Sequence, residues 1–153
     1  MEIFEAYQFA RIINHYQGIK LINEASNTYK WNLNLSEIAR IWTNGCIIKS
    51  TLMQDLVETL KHDANILTNT KLIDCVNQYK LAAKKVVLQS LLSDIATPAL
   101  SEAVQFLNGI TIAYSSANII QAQRDFFGAH TYKRLDDESG KSYHTIWEKL
   151  TNN

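Results

Sequence analysis

The sequence predicts an all-α fold, and three observations carry that prediction. Turn punctuation is scarce, with five glycines and one proline in 153 residues, which favours long helices over many short strands. Apolar residues recur at intervals of three and four through most of the chain, the spacing of one helix face. No stretch shows the two-residue alternation of a half-buried strand, and the chain carries neither an internal repeat nor a low-complexity segment.

Each element follows in order. From Glu2 to about Asn27 the chain is apolar around most of a helical circumference, with Glu5, Gln8, Arg11 and His15 forming a narrow polar stripe. A helix wet along one strip only is expected to be central and largely buried. Asn34 and Glu37 have the spacing of a capping pair and open a short helix carrying Leu35, Ile38, Ile41 and Trp42. Asn44-Gly45 interrupts it, and Leu52, Met53, Leu56, Val57 and Leu60 mark the core side of the next helix. Residues 62–70 are polar and read as a loop. Leu72, Val76, Tyr79, Ala83, Val86 and Ser90 then line one face of a long helix, with Lys80, Lys84 and Lys85 as its solvated charge. Thr97-Pro98 is a helix start, threonine as cap and proline at the first helical position, followed by Leu100, Ala103, Val104, Leu107, Ile110 and Tyr114. Ala117 to Phe127 is the last helix. It runs into a break at Gly128. Asp136 to Ser142 is polar, and Tyr143, His144, Ile146 and Trp147 restore aromatic and apolar character in a tail.

Composition excludes several classes of function. With 46% apolar residues, 20% charged residues and zero formal net charge, the chain is expected to fold as one domain rather than remain disordered. Neutral balance offers no electrostatic footprint for nucleic acid. No segment approaches the length of a membrane span, and no basic-then-apolar leader opens the chain. Cys46 and Cys75 have neither metal nor redox spacing, so free thiols in a reducing compartment are expected, with the cytoplasm as default. His15, His62, His130 and His144 are dispersed, and none stands at metal-ligand spacing from a carboxylate or thiol. No two glycines have the spacing of a dinucleotide-binding turn. Composition alone shows no catalytic centre.

The stretch Ile119 to Tyr132 is the most informative. An arginine, Arg124, lies on one side of the glycine and a histidine, His130, on the other, with Phe126 and Phe127 between them. A planar guanidinium fork beside an imidazole suits an anion. The plainer reading makes Arg124 a surface ion pair and His130 a solvated loop residue. On either reading Phe126 and Phe127 are expected to anchor the core.

Four blocks give the chain a specific resemblance. Gln121 to Tyr132 resembles the run Gln-Ala-Gln-Arg-Asp-Tyr-Phe-Gly-Ala-His-Thr-Tyr of 6-phosphogluconate dehydrogenases, with Phe126 in place of tyrosine. Trp42 to Ser50 is similar to their Trp-Arg-Gly-Gly-Cys-Ile-Ile-Arg-Ser. Tyr16-Gln17-Gly18 matches their Tyr-Ala-Gln-Gly more loosely, and His144-Thr145-Ile146-Trp147 resembles their His-Thr-Asn-Trp. The blocks fall in the family's order across nearly the whole chain.

The resemblance implies the C-terminal helical domain of that family over residues 1–135 and a C-terminal tail over 136–153, with the N-terminal Rossmann domain absent from this chain. It implies a part in the NADP-dependent oxidative decarboxylation of 6-phosphogluconate to ribulose 5-phosphate, in the pentose phosphate pathway. The family's catalytic lysine and glutamate and its NADP loop lie upstream of the matched region. No catalytic or cofactor-binding residue is therefore expected here, and the isolated chain is expected to be inactive. Two positions carry over: Arg124 and His130, which the resemblance casts as ligands of the substrate phosphate, offered to a neighbouring subunit in a homodimer. Thr43, Asn44, Lys49 and Ile146 depart from the family's pattern. Cys46 reads as packing. His144 and Trp147 are left between docking on a partner and capping their own helices. The competing reading is a non-catalytic helical binding or scaffold module of the same ancestry.

Overall fold

The computed structural model describes residues 1–147; the rest of the expected tail, 148–153, lies outside the described residues. The all-α prediction holds. Helices α1 (Glu2–Tyr29), α2 (Leu35–Trp42), α3 (Thr51–Thr59), α4 (Thr70–Leu92), α5 (Pro98–Thr111) and α6 (Ala117–Gly128) follow one another, with a 3₁₀ turn at Ile66–Thr68 before α4. Extended pairing among the described residues is confined to one antiparallel bridge, Tyr132 to Tyr143. The chain forms two compact units, Met1–Ile110 and a second from Thr111 onward.

Side-chain caps start α2, α3 and α4. Asn34 Oδ1 accepts the Glu37 amide, Ser50 Oγ the Met53 amide and Asn69 Oδ1 the Leu72 amide, each satisfying a donor that has no partner within its helix. The capping pair at α2 is one-sided, because the Glu37 carboxylate engages Arg40 instead of reaching back. At its other end α1 stops without a glycine. Lys30 takes a left-handed conformation, φ 57°, and the Trp31 amide donates back to the Ser26 carbonyl at 2.9 Å.

The core of this unit joins α1 to α4. Phe9, Ile13, Met53, Leu56, Ile66 and Val76 are its largest fully buried side chains, each contributing roughly 1.5–3 kcal/mol. The predicted face of α4 is the observed one, with Leu72, Val76, Ala83 and Ser90 buried. Helix α5 adds Ala103, Val104 and Leu107. Helices α2 and α3 pack together, and the buried Ser36 hydroxyl donates to the Val57 carbonyl at 2.8 Å.

Several expectations need correction. Helix α1 is not wet along one strip only. Ile3, Phe4, Tyr7 and Leu21 are exposed while Glu5, Gln8, Arg11 and His15 are half-buried, because the unit covers just one side of the helix. Residues 62–70 are not simply a loop: the 3₁₀ turn buries Ile66 completely. Ile41, Ile110 and Tyr114 sit on the surface. Both cysteines are free and half-buried, and only Cys75 of the two packs against the core.

Candidate functional site

The second unit is organised around α6 and the chain reversal after it. Gly128 is the last helical residue, and the left-handed turn falls on Ala129, φ 50°, whose amide donates to the Asp125 carbonyl at 2.9 Å. The expected break at glycine is therefore displaced by one residue. Gly128 serves a different need. A Cβ built there would stand 2.9 Å from Cδ2 and Nε2 of His130, so the absence of a side chain lets the imidazole lie on the helix end.

That seating fixes the relation of the two predicted residues. Arg124 and Gly128 are four residues apart on one stripe of α6, a spacing that brings side chains within about 5–6 Å at Cβ. The ring of His130 covers Gly128. The imidazole thus lies on the helical stripe from which Arg124 projects, one turn further on. Arg124 and His130 are both exposed. Among the described residues neither side chain has a hydrogen-bond or ion-pair partner.

Asp125, the neighbour of Arg124, is the residue that sequence reasoning missed. Its carboxylate is fully buried and accepts four bonds. Oδ1 receives the Thr131 amide at 2.9 Å and His144 Nδ1 at 3.0 Å. Oδ2 receives the Thr145 amide and the Trp147 indole, both at 3.0 Å. Burial works against the charge, but the Thr145 amide, His144, Trp147 and the Thr131 amide prevail and bring the carboxyl down to about 2. An ionised carboxylate can only accept, so Nδ1 of His144 carries the hydrogen. His144 and Trp147 are thereby tied to α6 of their own chain. One signal was legible: two tail side chains with N–H groups and no assigned acceptor.

Further bonds finish the reversal. Gln121 Nε2 donates to the Thr131 carbonyl, so α6 holds both backbone groups of that residue, whose φ is 61°. Tyr132 and Tyr143 exchange two 2.8 Å backbone bonds, and the Tyr132 and Thr145 hydroxyls meet at 2.8 Å. Arg134 is paired with Asp136, unlike Arg124. Phe126 and Phe127 are 56% and 75% exposed, not core anchors: the inward face of α6 is given to Asp125 and its donors, and Phe126 meets the Trp147 ring edge-on. An open groove of about 520 Å³ lies between Asn118, Gln121 and Ala122 of α6 and Tyr132, Thr145 and Trp147; neither Arg124 nor His130 lines it.

Among the described residues no group of three or more His, Cys, Asp or Glu side chains could hold a metal ion, and no helix is long and apolar enough to cross a membrane. The described residues contain no strand, glycine-rich turn and helix in succession, the arrangement of a Rossmann dinucleotide site.

Fold and site together define an all-helical domain whose last described helix carries an arginine near its end and is followed by a turn displaying a histidine. The chain belongs to the 6-phosphogluconate dehydrogenase family: residues 1–147 match the model of the 6-phosphogluconate dehydrogenase C-terminal domain. It is 39% identical over 149 residues to the decarboxylating 6-phosphogluconate dehydrogenase of Buchnera aphidicola from Baizongia pistaciae, covering 95% of this chain and 31% of that protein. The Escherichia coli K12 enzyme is 36% identical over 149 residues, with coverage of 95% and 31%. Among solved structures, Plasmodium falciparum 6-phosphogluconate dehydrogenase superposes with a TM-score of 0.85 at 32% identity, covering 95% of this chain and 32% of that one. That enzyme is described in its apo form, with its cofactor NADP+ and with its substrate 6-phosphogluconate. The chain spans about a third of the length of these relatives.

Proposed function

We propose that this domain is the phosphate-gripping part of an NADP-dependent enzyme that oxidatively decarboxylates 6-phosphogluconate to ribulose 5-phosphate. Arg124 and His130 bind the substrate's 6-phosphate. The observation that carries the reading is their state: two exposed cationic or hydrogen-donating groups share one stripe of α6 and have no partner among the described residues. A phosphate dianion offers what they lack, and the guanidinium fork can engage two of its oxygens at once. Holding the phosphate anchors the substrate remote from its reacting carbon, which restricts that carbon's position for hydride loss. The catalytic lysine, the catalytic glutamate and the NADP site belong to other parts of the complete enzyme, so this chain alone has no turnover.

The pair acts across a homodimer, each domain presenting Arg124 and His130 to the other subunit's active site, in the cytoplasm. Exposed apolar side chains on α6, Ile119, Ile120, Phe126 and Phe127, support such a contact, since grouped apolar exposure marks association surfaces. Sedimentation of the chain should give a dimer; a clean monomer argues against the interface.

The decisive experiment is Arg124→Ala in the complete enzyme. Loss of one bidentate charge-assisted contact should raise KM for 6-phosphogluconate on the order of 10- to 100-fold and leave the affinity for NADP unchanged. An unaltered substrate KM refutes the assignment.

A further inference from the structure

We propose that Asp125 is a positioning residue for the phosphate clasp: it holds the turn that carries His130 onto the helical stripe that carries Arg124, and it recruits the tail as a brace. The inference rests on the reading of Arg124 and His130 given above, and it adds a residue that touches no substrate.

The geometry points one way. Neither Arg124 nor His130 is fixed by a bond of its own among the described residues, so their relative placement depends on the backbone between them. That backbone adopts left-handed conformations at Ala129 and Thr131, φ 50° and 61°, which side-chain-bearing residues avoid unless their surroundings over-determine them. Asp125 does much of the determining. Its backbone carbonyl takes the Ala129 amide and its Oδ1 takes the Thr131 amide, so a single residue bonds the amides on both sides of His130. Its remaining acceptor capacity goes to His144, Thr145 and Trp147. Because Arg124 is the preceding residue on the same helix, any shift of the turn relative to Asp125 is a shift of His130 relative to Arg124.

Asp125→Asn isolates the side chain's share. Each carboxylate oxygen accepts two donors, so an amide NH2 in either orientation must face two N–H groups. The test is a double-mutant cycle in the complete enzyme, with His130→Ala, Asp125→Asn and the two combined, beside Arg124→Ala alone. Asp125→Asn should raise KM for 6-phosphogluconate on the order of 10-fold, with kcat and the KM for NADP within about twofold. The combined variant should be no worse than His130→Ala within about threefold, because Asp125 acts on the phosphate through His130. Trp147→Phe, which removes a single donor and keeps the ring, should raise the same KM by a smaller factor and keeps the proposal testable should Asp125→Asn fold poorly. A combined loss equal to the product of the single losses overturns the proposal, as does an unchanged KM in both Asp125→Asn and Trp147→Phe. If Arg124→Ala itself leaves KM unchanged, the clasp is refuted instead, a result distinct from either of those.

Discussion

Gly128→Ala separates the stability of the helix end from its function. Gly128 has no positive φ, so alanine is conformationally permitted. In a helix it replaces the residue with the largest backbone entropy, which favours folding by roughly 0.5–1 kcal/mol. The added Cβ would, however, stand 2.9 Å from two atoms of the His130 ring. Ordinary contact begins near 3.4 Å, so the ring must retreat by about half an ångström or swing off the helix end. It is an exposed, rotatable side chain, and the retreat costs the fold little. On the proposed role of His130 it costs the phosphate site one donor: a charge-assisted hydrogen bond lost or misaligned should weaken phosphate-dependent binding about 10-fold. Thermal denaturation of the variant should therefore show an unchanged or raised midpoint, while KM for 6-phosphogluconate rises in the complete enzyme. An unchanged KM in a variant that folds normally would refute the argument that Gly128 is there to seat His130.

Three other outcomes follow from the same structure. The native Asp125 carboxyl titrates at about 2, against an ordinary 3.8. The native form binds fewer protons between those values, so tail docking is complete above about pH 4 and is lost as the pH falls through about 2. Exchange of the Thr131 and Thr145 amides should accelerate in that window, and unchanged protection down to pH 2 would count against it. Leu56→Ala, at a fully buried position, should cost about 2–5 kcal/mol in urea unfolding. Leu91→Ala, at a position 66% exposed, should cost less than about 0.5 kcal/mol; equal losses would contradict the assigned core.

How much of this was legible in the sequence depends on where each residue finds its partners. The face of α4 could be read in advance because Leu72, Val76 and Ala83 repeat at helical spacing and meet their partners inside the chain. Ile66 could not, since a lone apolar residue in a polar stretch carries no period, yet the 3₁₀ turn buries it. Phe126 and Phe127 failed for another reason: hydrophobicity marks a side chain as wanting cover without saying that this chain provides it. Arg124 and His130 were singled out through the pattern around them. Asp125 was not, although it lies in the same pattern, because its donors come from 6 to 22 residues away and no local rule pairs a helical aspartate with a distant indole.

The bare side of α1 has a thermodynamic consequence. Ile3, Phe4 and Leu21 are in water, as are Leu88, Leu91 and Leu92 at the far end of α4. Any surface that covers them recognises the folded chain and not the unfolded one, so it adds to stability by mass action. Where a second copy of the chain supplies that surface, the melting point of this domain depends on concentration as well as on sequence. It should climb as the solution is made more concentrated.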